Sequence, residues 1–193
     1  MTYKTALSTL ALIAAAGMAQ ADCSKVTFSD VGWTDITTTT SATKQVLQAL
    51  GYEVDVKIVS VPVTFASIDS GDIDVFLGNW MPAQAGAIGP YLDKGTIVTL
   101  NENLVGTKYT LAVPKYLWDK GLQSYADVAK FKDELGGKIY GIEPGNEGNG
   151  YLISLTEAGG LFEGFEVVES SEQGMLAQVG RVYPNQGGVV FLG

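Results

Sequence analysis

Trp33 and Asp35 stand in Val31-Gly32-Trp33-Thr34-Asp35, Trp80 in Leu77-Gly78-Asn79-Trp80-Met81-Pro82, and Tyr109 in Thr107-Lys108-Tyr109-Thr110-Leu111. Each lies at or near the end of an apolar run, where a strand gives way to a loop. Aromatic faces converging from separate strand ends suit an organic cation with no N–H to donate. Ring quadrupoles attract such a cation, and each desolvated contact is worth roughly 2 kcal/mol.

Every one of these residues also has a plainer use. Trp33 and Trp80 could be packing residues, since tryptophan is highly buried on average. Two tryptophans at separate strand ends favour a cleft instead. Trp118, among Tyr116, Leu117 and Lys120, has no such setting and is expected to pack. Tyr109 alone would suit a strand core, but it sits where one α/β unit crosses to the next. Asp35 could cap a helix, a role worth about 1 kcal/mol. One oxygen can cap while the other accepts from a ligand. Asn146 lies in Gly145-Asn146-Glu147-Gly148-Asn149-Gly150. That run is rich in glycine like a phosphate loop, but it is acidic and lacks the lysine. Its asparagine can still offer an amide into a cleft.

The elements that must position these groups follow from the apolar pattern. Val26 to Ser29 reads as a strand, with a helix after it capped by Thr34 or Asp35. Val46, Leu47 and Leu50 share a face of that helix, Gly51 ends it, and the threonines 37 to 40 belong in its polar first turn. Val54 to Val61 is a second strand. Pro62 starts a helix to about Ser70, and Ile73 to Leu77 is a third strand. The pattern β-α-β-α-β predicts a parallel sheet with helices on its faces. A second α/β unit begins near Leu104. Its strands are predicted at 108–113, 138–142, 165–169 and 188–192. Its helices are predicted at 125–134, 151–158 and 172–180, with a glycine-rich loop at 143–150. The organisation expected is a leader at 1–21, a first lobe at 22–104 and a second at 105–193.

The leader reading rests on Lys4, the apolar run Ala6 to Met18 and the small-residue cleavage site Ala19-Gln20-Ala21. The run is shorter than the ~20 residues a spanning helix needs. Export to the periplasm is therefore expected, with a mature start at Asp22 and no membrane insertion after cleavage. Losing Lys4 with the leader lowers the net charge of −9 by one, to −10. That argues against nucleic acid or an anionic membrane as partner. It is compatible with a cationic ligand, although solubility alone would explain it. The chain has one cysteine, Cys23, and no histidine. A lone thiol in an oxidising compartment is either free or paired outside these residues. No nucleophile–base pair or metal cluster is visible, so neither an enzyme nor a cofactor is expected.

Four segments carry a family resemblance: 28–37, 72–82, 137–146 and 165–176. With them, residues 22–193 resemble the choline-binding substrate-binding proteins of ABC importers, in the wider glycine betaine/choline group. The resemblance implies a two-lobe α/β clamp of the type II periplasmic binding protein fold. Each lobe would be a mostly parallel sheet flanked by helices. It implies a monomer that delivers choline, or a related quaternary ammonium compound, to a membrane permease. It further implies a cage of four aromatics around a trimethylammonium group, with Trp33, Trp80 and Tyr109 as three of them. Asp35 and Asn146 would hold the choline hydroxyl. The family's fourth aromatic, a tryptophan, follows the strand at 189–193. The family's return to the first lobe and the disulfide partner of Cys23 also fall there. A C-terminally truncated chain with an incomplete first lobe is therefore expected. Asp35 favours choline on physical grounds, because a carboxylate accepts from the choline O–H but repels a betaine carboxylate. Glycine betaine or proline betaine binding, or a fragment without function, are the other readings.

Overall fold

A computed structural model of the protein describes residues 24–193. The leader, the expected mature start at Asp22 and Cys23 lie outside the described residues. The chain builds β1 (Lys25–Asp30), α1 (Thr34–Ala49), β2 (Glu53–Ile58), α2 (Val61–Ser70) and β3 (Val75–Phe76). These three strands form a parallel sheet in the order β2-β1-β3, with Phe28 in register with both Val56 and Val75. The β-α-β-α-β pattern is therefore realised. Pro62 lies in the first turn of α2, where its missing N–H breaks no bond, and Gly71 ends that helix with φ 80°. Phe28, Val61, Phe65, Ile73 and Ile88 are buried around this sheet.

The chain continues through α3 (Ala85–Lys94), β4 (Leu111–Ala112), α4 (Lys115–Asp119), α5 (Tyr125–Val128) and β5 (Lys138–Tyr140). It then forms α6 (Glu147–Thr156), β6 (Glu166–Val168), α7 (Glu172–Val182) and β7 (Phe191–Leu192). The second sheet has the order β4-β7-β5-β6. Strand β5 runs parallel to β6 and β7, and only β4 is antiparallel to its neighbour. Leu117, Ile139, Leu152, Phe162, Val189 and Val190 are buried in its core. Among the described residues, no helix is long and apolar enough to cross a membrane.

Several local expectations need correction. The strands are shorter than their apolar runs, since hydrophobicity reports burial and strand pairing stops earlier. Helices α3 and α4 were not foreseen. Gly86, Gly89 and Pro90 make α3 a poor helix by propensity, so burial of Ile88 holds it. The expected helix at 125–134 is a single turn followed by a 3-10 turn at Ala129–Phe131. The loop expected at 143–150 ends early, because α6 starts at Glu147. The N-cap of α1 is Trp33; Thr34 and Asp35 occupy the first turn. The threonine run lies within the helix rather than only at its start. Thr38 and Thr39 donate their hydroxyls to the carbonyls of Thr34 (2.7 Å) and Asp35 (2.9 Å), which removes the local competition that disfavours threonine. Val46 and Leu50 are exposed. Trp118 is not a packing residue: it is 49% exposed, because Leu117 takes the buried position of the short α4.

Candidate functional site

The turn after β1 is built by Asp30. This buried carboxylate accepts from the backbone N–H of Gly32 at 2.7 Å and from the Thr37 hydroxyl at 3.0 Å. Gly32 has φ 84°, a left-handed conformation that a side chain would strain. The turn delivers Trp33 to the start of α1, where its carbonyl accepts from Thr37 N–H at 2.8 Å. Asp35 then falls in the first helical turn, at the positive end of the helix dipole.

Trp80 follows β3. Its carbonyl accepts from Gln84 N–H at 2.9 Å, and the Gln84 amide donates to the Gly78 carbonyl at 3.3 Å. Gly78 lies against the Phe76 ring, where a Cβ would stand 2.8 Å from a ring carbon. The loop that carries Trp80 is thus pressed onto the sheet. Tyr109 precedes β4, which is pinned at its end by paired bonds of 2.9 Å between Thr110 and Gly193. The rings of Trp80 and Tyr109 stand 6.2 Å apart and tilted by 43°.

Asn146 is the N-cap of α6 and is buried. Its Oδ1 accepts from Gly148 N–H at 2.8 Å and from the Tyr109 hydroxyl at 2.6 Å. Its Nδ2 donates to Glu143 Oε1 at 3.1 Å. One amide proton is left over. Burial, and then the charges of Glu143 and Glu147, hold the Tyr109 pKa above its ordinary value, so the hydroxyl remains a donor at neutral pH.

All five expected residues, Trp33, Asp35, Trp80, Tyr109 and Asn146, line one cavity of about 690 Å³. Phe191, Leu104, Met175 and Leu176 add apolar wall. The charged lining is Asp35, Glu147 and Glu172 against Lys108 alone. The Glu147 pKa is raised, first by burial and then by Glu143, as expected for crowded carboxylates. An apolar, aromatic cavity with excess negative charge favours a cation. Among the described residues, no cluster could hold a metal ion.

The cavity lies between the two sheets, and hydrogen bonds cross it. The Trp33 indole N–H donates to Glu143 Oε2 at 2.9 Å. Thr34 donates its backbone N–H and its hydroxyl to Glu172 at 2.9 and 2.8 Å. The Gln173 amide donates to the Gly32 carbonyl. Sequence reasoning passed over Glu143, Glu147, Glu172 and Phe191. Glu143 and Glu172 fall inside segments that carry the family resemblance, but a carboxylate with two cross-cleft partners has no local signature.

Comparison with known proteins places the chain in a family. A solved ABC-transporter choline binding protein in complex with choline is 56% identical, with a TM-score of 0.84; the match covers 89% of this chain and 60% of that one. An unliganded, semi-closed structure of an ABC-transporter choline binding protein, also 56% identical, gives a TM-score of 0.78 over the same shares. The chain thus spans 60% of the length of these structures. A protein of Chromohalobacter salexigens described only as uncharacterized is 52% identical over 128 residues, 66% of this chain and 83% of its own length. The two-sheet architecture is that of the type II periplasmic binding proteins. Residues 24–193 match the substrate binding domain of ABC-type glycine betaine transport systems (OpuAC), and the chain belongs to that family.

Proposed function

We propose that the protein is the periplasmic solute-binding component of an ABC importer and captures choline. Trp33, Trp80 and Tyr109 act as cage walls around the trimethylammonium group, Asp35 accepts from the choline hydroxyl, and Asn146 offers its remaining amide proton to the same oxygen. The observation that carries this reading is the convergence of those five residues on one cavity whose lining has three carboxylates and one lysine. A quaternary ammonium cannot donate a hydrogen bond, so rings and diffuse negative charge are what recognise it. The likeness to a choline-bound structure supports the same ligand. Acetylcholine keeps the cation but lacks the hydroxyl, and binds more weakly. Family membership favours a binding protein over an enzyme. The loaded protein hands its ligand to a membrane permease, and a cleaved leader at 1–21 accounts for its location.

Glycine betaine is the second reading, favoured by one observation: Lys108 lines the cavity and could meet a ligand carboxylate. Calorimetry with both ligands at neutral pH decides between them. Tighter binding of choline is expected, and equal or reversed affinity would sink the choline assignment.

A further inference from the structure

Glu143 is absent from the cavity lining, yet it holds two residues that line it. Its Oε2 accepts from the Trp33 indole across the cleft at 2.9 Å, and its Oε1 accepts from Asn146 Nδ2 at 3.1 Å. Asn146 in turn accepts from Tyr109, whose ring meets Trp80. Through Glu143 the cavity walls from both sheets join into one chain of contacts. The polarity of that chain is fixed by the backbone. Gly148 N–H can only donate, so Asn146 must turn Oδ1 toward it and Nδ2 toward residue 143. Residue 143 therefore faces two donors, the amide and the indole. A carboxylate accepts both. A glutamine of the same shape accepts one and turns its own N–H on the other. The loop holding Glu143 is itself fixed, because the fully buried Asn149 donates to the carbonyls of Ile142 and Glu143 at 2.9 and 3.0 Å.

We infer that Glu143 is a positioning residue that sets the Trp33 ring and the Asn146 amide for the ligand, and that it must be a carboxylate to do so. The inference rests on the proposed capture of a quaternary ammonium compound. The test compares the wild-type full chain with Glu143→Gln, using choline calorimetry and NMR of ¹⁵N-indole tryptophan, with Trp33 assigned from Trp33→Phe. The expected result is a variant with a wild-type circular dichroism spectrum that binds choline at least about tenfold more weakly, since a donor loses its acceptor. The loss persists in about 0.5 M salt, where a purely long-range charge effect would be screened. The Trp33 indole proton moves and exchanges faster, while that of Trp80 does not. Wild-type affinity, a loss that salt abolishes, or an unmoved Trp33 signal would each overturn the inference. If Glu143→Gln does not fold, the wild type decides: Trp33 indole exchange slower than that of exposed Trp118 under saturating choline supports it, and equal exchange overturns it. Failure of the wild type to bind choline or glycine betaine would instead remove the functional reading. The ligand-free Trp33 signal in wild type and variant would still decide the hydrogen bond.

Discussion

Gly148→Ala places one methyl group behind Tyr109, a wall of the proposed aromatic cage. The new Cβ would lie 2.4 Å from the Tyr109 hydroxyl oxygen, 2.7 Å from its Cζ and 2.8 Å from Leu192 Cδ2. Ordinary contact begins at 3.4 Å, so Tyr109 must retreat by about 1 Å. That movement breaks its 2.6 Å bond to Asn146, worth about 0.5–1.5 kcal/mol. It also withdraws one cage wall, worth up to about 2 kcal/mol when desolvated. Choline binding should weaken by about 2–3 kcal/mol, or about 30–150-fold. Fold stability takes opposing contributions, because the lost bond costs it about what the helix gains. Alanine is the better helix former by about 1 kcal/mol, and the left-handed region is not needed here, since Gly148 is absent from the positive-φ glycines. The signature is therefore a ligand-free melting temperature near that of the wild type with a large loss of affinity. Gly150→Ala is the control, because its Cβ would meet nothing within 4 Å. In a Tyr109→Ala background the Gly148→Ala cost should largely vanish. Calorimetry and thermal melting on the four variants measure this. Gly148→Ala binding within about threefold of wild type, or costing as much without Tyr109, would refute the placement of Tyr109 in the cage.

Trp33→Ala and Trp80→Ala should each weaken choline binding by about 2 kcal/mol or more, while Trp118→Ala leaves it unchanged, by calorimetry. Asp35→Asn should weaken choline binding and narrow the gap to glycine betaine; a widened gap would contradict the role given to this carboxylate. A bound cation favours ionised Glu147, so affinity should fall as pH drops through the raised Glu147 pKa, above its ordinary 4.5. Titrations from about pH 7 to pH 4 should show this fall, and Glu147→Gln should flatten it. Val98, Leu100, Leu104 and Val105 are exposed, Leu100 at 89%. Residues 24–193 alone should therefore self-associate on size exclusion, and lysine at positions 98 and 100 should reduce it.

The first sheet was legible because its apolar runs are separated by strong local punctuation, Pro62 and Gly71 among it. The cavity-lining aromatics were legible for a related reason, since each lies at or near the end of such a run. What sequence reading missed depended on contacts between distant residues. Helix α3 contains Gly86, Gly89 and Pro90, and forms because Ile88 is buried. Helix α6 begins four residues before the expected Tyr151, through glycines that propensity counts against a helix. The missing Cβ of Gly148 is what lets Tyr109 reach Asn146, so a poor helix residue is the one the site requires. Trp118 was misplaced for the opposite reason. Its size suggested burial, but the short α4 has room for only Leu117 on its inner side.

The groups that tie the two sheets together also line the cavity or hold residues that do. The bonds from Trp33 to Glu143, from Thr34 to Glu172 and from Gln173 to Gly32 all tie one short turn, residues 32–34, to the loop at Glu143 and the first turn of α7. Each such bond contributes about 0.5–1.5 kcal/mol net, and those to Glu172 are exposed. A handful of such bonds is a modest total for holding two sheets together. On the proposed function, a cation in the cavity would add ring contacts to these bonds and so stabilise the arrangement in which the two sheets meet. Its apparent affinity is then divided between contact and closure. On that reading, Thr34 and Glu172 would alter affinity through the bonds that join the sheets, beyond any direct contact with the ligand. The turn that Asp30 and Gly32 build thus ties the two sheets together and lines the cavity at once.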